Sequence, residues 1–348
     1  MTLSDLLNYA ITQGCSDVHI TVGTHLAIRK NGTLQIVDPE PSMDEARTMI
    51  YELLDERQKT EVETKDLDFA RYVMGGKSRI RVNVYHQRNN LAASIRILSE
   101  TIPSFDDLQL PGVIESFCNL PRGLVLITGP TGSGKTTTLA SMIDYINRRR
   151  PCHIMTIEDP IEYIYNHKLA MIHQREVGRD VSDYASALRS SLREDPDIIL
   201  VGEMRDYETI SAAITAAETG HLVFSTLHTT SAAQTVDRII DGCPLEGRDQ
   251  LRIQLSSILY GVVSQTLIPT ADGKGRIVAT ETMVMNPAIA NQIRESKTAQ
   301  IPSTIQANGS MGMHTLNNDL IRLVGYGKIN RMDALAVSND PTGLANQI

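Results

Sequence analysis

The fold of this chain is decided by one segment, Gly129-Pro130-Thr131-Gly132-Ser133-Gly134-Lys135-Thr136. It fits the pattern GxxxxGK(S/T), and it follows the apolar run Leu124–Thr128, which is typical of a buried strand. In this pattern the glycines let successive backbone N–H groups face an anion, and the start of the next helix adds partial positive charge. We call the segment Gly129–Thr136 the phosphate loop and predict that it joins a strand to a helix.

The phosphate loop also predicts the ligands of the protein. Lys135 can reach the β- and γ-phosphates of a nucleotide, and the Thr136 hydroxyl is placed to ligate Mg²⁺. We therefore expect ATP and Mg²⁺ as cofactors. The loop residues predicted to contact the nucleotide are Thr131, Gly132, Ser133, Gly134, Lys135, Thr136 and Thr137.

Outward from the loop, apolar strands alternate with helical segments. Three further runs are apolar throughout, Ile154–Ile157, Ile198–Val201 and Leu222–Thr226. Such runs with helices between them predict a mainly parallel sheet covered on both faces. The pattern turns helical after residue 285, with short helices at Leu316–Val324 and Arg331–Val337. The sequence thus predicts an α/β domain over residues 113–348 with a helical C-terminal part.

The first hundred residues follow a different pattern, which predicts a small α+β domain over residues 1–100. A polar segment with two prolines, residues 101–112, is the predicted linker. The predicted elements are a helix over residues 3–13, a hairpin turn at Asn31-Gly32, a helical stretch from Ser42 to about Thr64, and strands at Leu67–Tyr72, Ser78–Tyr85 and Leu91–Leu98.

Carboxylates follow two of the apolar runs, at the strand ends where parallel sheets bind ligands. Glu158, Asp159 and Glu162 follow the first run, and Gly202-Glu203 follows the second. Phosphoryl transfer needs one group that holds the metal and one that orients or activates water. A Gly-Glu pair stands where an Asp is more usual in the second segment, but the longer Glu can still hold Mg²⁺ through a water molecule.

A histidine follows the third run. His228 could bond the γ-phosphate from the end of this strand. A single histidine is more often a structural residue, whereas a position directly after a core strand favours a functional one. His221 lies before the same strand and is less well placed.

Composition narrows the function classes. The formal net charge is -8, aromatic residues make up 4% of the chain and Trp is absent, so a base-stacking nucleic-acid surface is not expected. The four cysteines form no CxxC pair, which argues against a zinc site or a disulfide framework. No apolar stretch approaches the ~20 residues of a membrane helix. We expect a cytoplasmic protein without direct membrane insertion.

Taken in order, these motifs resemble the secretion ATPase superfamily. The matching segments are Gly129–Thr136, Ile157–Glu162, Ile198–Asp206 and Gly220–His228. Within the superfamily the chain is similar to the type IV pilus retraction ATPases, the PilT-like family. The segments that carry this finer resemblance are Ser16–Ile20, Arg81–Arg88, Ile95-Arg96, Leu188–Asp197 and Gly312–Leu316.

The resemblance implies an architecture and a function. It implies a PAS-like N-terminal domain, a RecA-like ATPase domain and a homohexameric ring. It further implies a motor that hydrolyses ATP to retract a type IV pilus, acting on a platform protein from the inner face of the cytoplasmic membrane. No nucleic-acid partner is expected.

The resemblance also implies the roles of single residues. Glu162 would be the general base for the attacking water, and Glu203 would hold Mg²⁺ through water while Thr136 binds it directly. His228 would contact the γ-phosphate, with Glu158 and Asp159 supporting the site. Four arginines complete the set: Arg81 and Arg96 would close onto ATP, and Arg189 and Arg193, four apart on one helix face, would reach the site or the subunit boundary.

One segment departs from the family pattern. The family carries a motif of the form AIRNLIRE, and here Ala288–Glu295 has Ala290 in place of Arg and Gln292 in place of Leu. The motif is tied to retraction rather than to ATP hydrolysis. Alternatives are a pilus-assembly or type II secretion ATPase, whose chains are usually longer and carry a four-cysteine insertion, a nucleic-acid translocase, and an accessory subunit that binds ATP but hydrolyses little.

Overall fold

The structure is a computed structural model that describes residues 1–30, 32–37, 40–76, 78–98 and 101–348. The chain folds into two compact units, which we call the first and the second unit. The first unit is Met1–Thr101 with Pro160–Ile164, and the second is Ile102–Asp159 with Tyr165–Ile348. The domain boundaries predicted from the sequence remain predictions, and residues 99 and 100 beside one of them lie outside the described residues.

The first unit is built on an antiparallel sheet. Its elements are α1 (Leu3–Thr12), β1 (Asp17–Thr21), β2 (Leu26–Lys30), β3 (Thr33–Val37), α2 (Met43–Glu52), α3 (Glu56–Glu61), β4 (Leu67–Val73), β5 (Ser78–Gln87) and β6 (Asn90–Leu98). Within the described residues the strand order is β3-β2-β1-β6-β5-β4. Burial alternates along β5, because one face of the sheet packs on an apolar core that includes Leu6 and Ile50.

The strands and the hairpin predicted for this unit are confirmed. β4, β5 and β6 cover the three predicted runs, and β2 and β3 pair antiparallel with Lys30 opposite Thr33. Asn31, the first residue of the predicted turn, lies outside the described residues.

The prediction of one helical stretch from Ser42 to Thr64 is wrong, because two helices occupy it. α2 ends at Glu52, and Asp55 begins α3 by accepting a hydrogen bond from the backbone N–H of Gln58 at 2.8 Å. The Gln58 side chain in turn accepts from the Asp55 backbone N–H at 3.0 Å. This reciprocal capping box starts a new helix inside the predicted one.

The second unit is built on a mainly parallel sheet, as predicted. Its strands are β7 (Gly123–Thr128), β8 (His153–Glu158), β9 (Met171–Glu176), β10 (Ile198–Val201), β11 (Leu222–Leu227), β12 (Leu259–Pro269) and β13 (Arg276–Val284). In the described part of this unit their order is β13-β12-β7-β11-β10-β8-β9, with β13 antiparallel to β12. β7, β8, β10 and β11 are buried at every position, which explains their uninterrupted apolar sequences.

Helices cover this sheet and extend to the C-terminus. They are α4 (Phe105–Leu108), α5 (Val113–Cys118), α6 (Lys135–Asn147), α7 (Tyr184–Ser191), α8 (Tyr207–Glu218), α9 (Ala232–Asp241), α10 (Arg248–Ile258), α11 (Pro287–Arg294), α12 (Ile301–Ala307), α13 (Leu316–Gly325), α14 (Arg331–Val337) and α15 (Pro341–Ala345). The two predicted C-terminal helices are confirmed as α13 and α14. None of the helices in the described ranges is both long and apolar enough to span a bilayer.

Three strands of the second sheet were not singled out from the sequence. β9 is an edge strand with the polar sequence Met-Ile-His-Gln-Arg-Glu, and two of its six residues are exposed. β12 and β13 form the antiparallel pair at the other edge. They matter for the site, because β12 lies directly beside β7 and therefore beside the phosphate loop.

Candidate nucleotide-binding site

The phosphate loop connects β7 to α6 through a tight turn. Gly129, Gly132 and Gly134 have φ angles of 142°, 79° and 90°, in the region that favours glycine. A Cβ atom on Gly129 would lie only 2.2 Å from the backbone carbonyl oxygen of Gln265. Both backbone conformation and space therefore require glycine at position 129, and the chain enters the helix with its backbone close-packed on β12.

Lys135, the first residue of α6, folds back over the loop. Its ammonium group donates hydrogen bonds to the carbonyl oxygens of Gly129 at 2.8 Å and of Pro130 at 3.0 Å. Burial lowers the pKa of this ammonium, and the nearby charge of Glu203 acts in the opposite direction. The loop thus holds a buried cation at its own centre, where an anionic ligand would gain most from it.

Two residues of β12 that sequence reasoning missed support the loop. The Gln265 side-chain amide donates to the Ser133 carbonyl oxygen at 2.7 Å, and the hydroxyls of Thr128 and Ser264 lie 2.7 Å apart. In the sequence, the signal is a polar Ser-Gln-Thr run inside a mostly apolar strand. Gln265 fixes the loop backbone to the neighbouring strand, and Ser264 contacts the last residue of β7, just before the loop.

The other predicted loop residues differ in exposure. Thr131 and Gly132 are exposed, whereas Thr136 and Thr137 are half-buried. The Ser133 hydroxyl is buried and, within the described residues, has no hydrogen-bond partner. A buried hydroxyl without a partner is costly, and a bound phosphate oxygen would satisfy it. The donors of the loop therefore fit a nucleotide phosphate.

The acidic segment after β8 divides between the two units. Glu158 is buried and accepts hydrogen bonds from the Thr156 hydroxyl at 2.7 Å and the Gln174 amide at 3.3 Å. Asp159, next in the chain, is exposed. Glu162 belongs to the first unit, together with the rest of Pro160–Ile164.

Glu203 lies at the end of β10 in a charged cluster. Its carboxylate forms an ion pair with Arg205 and lies 3.4 Å from Nε2 of His228. The Glu203 side chain is only 12% exposed, whereas those of Arg205 and His228 are 66% and 53% exposed. The hydrogen bond that the Arg205 guanidinium donates to Glu203 raises the pKa of Arg205. The structure therefore brings two predicted residues together and adds Arg205, which sequence reasoning missed.

The end of β11 is tied to the end of β10. The Thr226 hydroxyl donates to the Gly202 carbonyl oxygen at 2.6 Å, and the Met204 backbone N–H donates to the Thr226 carbonyl oxygen at 3.1 Å. These bonds hold Glu203 and His228 on adjacent strand ends. The position of His228 is therefore set by the sheet rather than by a free loop.

Arg189 and Arg193 do not share a helix face, which corrects the prediction. α7 ends at Ser191, and Arg193 lies in the following turn, where its backbone N–H donates to the Ser190 carbonyl oxygen at 3.0 Å. Both arginines are exposed. Arg189 lines a cavity of about 310 Å³ together with Leu192 and residues of α8 that include Tyr207.

In the first unit, Arg81 and Arg96 lie directly opposite each other on β5 and β6. Arg81 forms two hydrogen bonds with Asp68, at 2.7 and 3.0 Å, and one with Glu162 at 3.2 Å. Arg96 donates to Asp17 at 3.0 Å. The hydrogen bond with Asp68 is the main reason why the pKa of Arg81 is raised. Two like charges placed side by side repel each other, and these carboxylates compensate for the repulsion.

The metal prediction rests on Thr136 and Glu203. In the part of the chain that the structure describes, no group of three or more His, Cys, Asp or Glu side chains could hold a metal ion alone. A hydroxyl and a carboxylate are oxygen ligands, which Mg²⁺ prefers, and Mg²⁺ commonly takes its other ligands from water and phosphate. These residues therefore fit Mg²⁺ that arrives with a nucleotide.

A mainly parallel sheet, a phosphate loop after a buried strand and carboxylates at two neighbouring strand ends define a P-loop ATPase. The chain belongs to the Type II/IV secretion system protein family, whose sequence model matches residues 1–319.

Individual relatives match nearly the whole chain. It is 46% identical over 336 residues to the Type IV pilus retractation ATPase PilT of Pseudomonas aeruginosa, covering 96% of this chain and 97% of that protein. It is 46% identical over 304 residues to a twitching motility protein of Neisseria gonorrhoeae, covering 87% and 81%. It is similar to a crystal structure of the pilus retraction motor PilT with bound ADP, with a TM-score of 0.91, 44% identity and 99% of both chains covered. The predicted resemblance to the retraction ATPases is confirmed.

Proposed function

We propose that this chain is a hexameric ATP-hydrolysing motor that powers type IV pilus retraction, and with it pilus disassembly and twitching motility. The observation that carries the proposal is the phosphate loop after β7, with Lys135 buried at its centre, in a sheet whose strands β10 and β11 end just before Glu203 and His228. Relatives named as a pilus retraction ATPase and a twitching motility protein are each 46% identical to the chain, which supports the same output.

The loop and its lysine bind the phosphates of ATP. Backbone N–H groups of the loop and the Lys135 ammonium face the phosphate oxygens, with contacts from Thr131 to Thr137. Glu158 and Asp159 support this end of the sheet. His228 contacts the γ-phosphate from the end of β11.

Glu162 accepts a proton from the attacking water. Its hydrogen bond to Arg81 supports this role, because the guanidinium orients the carboxylate. Arg81 and Arg96 supply positive charge for the γ-phosphate, and Arg189 and Arg193 do so at the site or at a subunit boundary. Catalysis of this kind is positioning and charge stabilisation.

Thr136 would hold Mg²⁺ directly, and Glu203 would hold it through a water molecule. When bound, Mg²⁺ supplies positive charge that neutralises the phosphate oxygens. The chain's own contribution is to keep Glu203 just beyond the end of β10, where its carboxylate pairs with Arg205.

The motor acts on an inner-membrane platform protein of the pilus from the cytoplasmic face of the membrane. The departure from the family motif lies on α11, where Ala290 is buried and the Gln292 side chain donates to the Thr304 hydroxyl of α12 at 2.8 Å. These two residues support the packing of α11 and α12. They are not part of the phosphate loop, so the departure from the motif does not change the residues proposed to bind ATP.

Steady-state ATPase activity, measured together with particle mass by light scattering, tests the proposal. Purified protein is assayed with Mg²⁺ and with EDTA, and with and without DNA. We expect Mg²⁺-dependent turnover in a six-subunit particle that DNA does not change.

Three other outcomes would contradict it. Strong stimulation by DNA would favour a nucleic-acid translocase, and ATP binding without turnover would favour an accessory subunit. Restoration of pilus assembly, rather than retraction, in a motor-deficient strain would favour an assembly or secretion ATPase.

A further inference from the structure

Tyr184 is a tyrosine of the candidate site to which neither sequence motifs nor the proposed mechanism assign a role. It is the first residue of α7, which Asp183 caps by accepting a hydrogen bond from the Ser186 backbone N–H at 2.7 Å. Its ring packs against the main apolar core of the second unit. The side chain of a first helical residue points back over the helix start, and here this direction leads to the end of β10.

The phenolic oxygen of Tyr184 occupies the space that a side chain at position 202 would need. A Cβ atom on Gly202 would lie 2.9 Å from this oxygen. Gly202 has no positive φ, so its backbone does not require glycine. The close approach of the tyrosine hydroxyl, together with the Ile157 carbonyl oxygen 3.3 Å from the same Cβ position, explains the glycine before Glu203, where an Asp is more usual.

Charged groups surround this hydroxyl. Burial raises the pKa of the Tyr184 phenol, and the neighbouring charges of Asp159, Glu203 and Glu158 raise it further, against the opposing effect of Arg205. A phenol ordinarily carries its proton at neutral pH. It can donate a hydrogen bond to a carboxylate, but it cannot act as a base.

Glu203 needs such a donor. Its carboxylate is paired with Arg205 and lies near His228, two side chains that are mostly exposed. A carboxylate that turns from Arg205 toward a metal needs another group that fixes its second oxygen, because an unconstrained side chain holds a metal less tightly.

We propose that Tyr184 is a positioning residue for Glu203: its hydroxyl, seated against Gly202, donates a hydrogen bond to the Glu203 carboxylate when that group holds Mg²⁺. The inference rests on the proposed function of the site and adds a residue to it. Tyr184 acts through Glu203 and touches neither the nucleotide nor the reacting atoms.

The test compares Tyr184→Phe with Tyr326→Phe in the full-length protein. Tyr184→Phe removes the hydroxyl and keeps the ring in the core, and Tyr326 is 72% exposed and serves as the matched control. We expect Tyr184→Phe to lower kcat roughly tenfold, the effect of one lost hydrogen bond to a charged group, with KM for ATP within about twofold. The Mg²⁺ concentration for half-maximal activity should rise several-fold.

Thermal unfolding gives a readout that does not depend on turnover. ADP with Mg²⁺ should raise the melting temperature of Tyr184→Phe less than that of the wild-type protein. ADP with EDTA should raise both equally, and the melting temperatures without ligand should agree within about 2 °C. Tyr326→Phe should match the wild-type protein in every measurement.

A second variant separates the hydroxyl from the packing. Gly202→Ala places a methyl group 2.9 Å from the phenolic oxygen and should displace it, with a loss of activity similar to that of Tyr184→Phe. In the double variant the two losses should not add, because both act on the same hydrogen bond.

The outcomes distinguish this inference from the proposed function. If the wild-type protein turns over ATP and Tyr184→Phe keeps its kcat and its Mg²⁺ requirement, the inference alone is overturned. A fall in kcat with a lower melting temperature and no change in the Mg²⁺ requirement would also overturn it, since the role would then be structural. If the wild-type protein shows no Mg²⁺-dependent turnover, the proposed function fails and this inference fails with it.

Discussion

The two sheets of this protein place their charged residues in opposite ways. In the parallel sheet of the second unit, β7, β8, β10 and β11 are buried throughout, and the candidate functional groups stand at or just beyond the strand ends. In the antiparallel sheet of the first unit, Arg81 and Arg96 stand in mid-strand, on the face that the core does not cover. In a sheet covered on both faces, functional side chains can reach a ligand only from the ends of the strands. In a sheet with one open face, they can do so from any position along a strand.

The largest expected effect on ATP turnover is that of a substitution in the phosphate loop, at the end of β7. Lys135→Ala removes the buried cation of the phosphate loop and leaves the carbonyl oxygens of Gly129 and Pro130 without its hydrogen bonds. We expect turnover to fall by at least about 100-fold, because this charge has no substitute in the loop. Steady-state ATPase assays would measure it, with the surface variant Lys297→Ala as control. Full activity in Lys135→Ala would remove the phosphate-loop assignment.

A slightly smaller effect is expected at Glu162, which follows a parallel strand in sequence but packs with the first unit. Glu162→Gln keeps an acceptor for Arg81 at nearly the same size and removes the proton acceptor. We expect about a 100-fold loss of kcat with near-normal ATP affinity, in the range that general-base catalysis contributes. Retention of radiolabelled ATP after gel filtration would show the trapped substrate. Rapid hydrolysis by Glu162→Gln would show that Glu162 is not the general base.

The mid-strand arginines should give smaller losses than these. Arg81→Ala removes a side chain that binds both Asp68 and Glu162, so we expect turnover to fall about tenfold with the particle mass unchanged. Asp68→Asn is the matched control, because it weakens the pairing of Arg81 but keeps the guanidinium. An unchanged rate in Arg81→Ala would mean that its ion pairs serve the fold of the first unit alone.

The same contrast explains what could be predicted from the sequence. The ends of apolar runs are visible in a sequence, so Glu158, Glu203 and His228 could be placed at strand ends before the structure was known. Cross-strand register depends on which strands pair and where, and the sequence does not contain it in readable form. The opposition of Arg81 and Arg96 therefore emerged only from the fold.

Supporting contacts were the least predictable part. Gln265 reaches the phosphate loop from 132 residues away in sequence, and Tyr184 approaches Gly202 from a helix start. Each is an ordinary polar residue with no motif around it. Arg193 was misplaced for a related reason, because α7 ends at Ser191, and helix ends are poorly fixed by periodicity.

The smallest expected effect is on stability and concerns Glu281. This buried carboxylate lies in the middle of β13, whereas the other charged groups discussed for the second sheet lie at or beyond strand ends. It accepts a hydrogen bond from the Ala232 backbone N–H at 2.8 Å, at the start of α9, and burial raises its pKa. A carboxyl group with a raised pKa in the folded state binds its proton more tightly than in the unfolded state. Its contribution to stability is therefore fully present below its unfolded-state pKa and is lost as the pH rises through the folded-state pKa.

Glu281→Gln keeps the acceptor oxygen and removes the ionisation. We expect the variant to be more stable relative to the wild-type protein at pH 8 than at pH 5, because only the wild-type protein loses the contribution of a bound proton as the pH rises. Denaturant unfolding at both values would measure it, with the exposed Glu295→Gln as control. ATPase activity at pH 8 should be unchanged, because a mid-strand group of the covered sheet serves packing. A loss of turnover in a stable Glu281→Gln variant would show that function in this sheet is not confined to its strand ends.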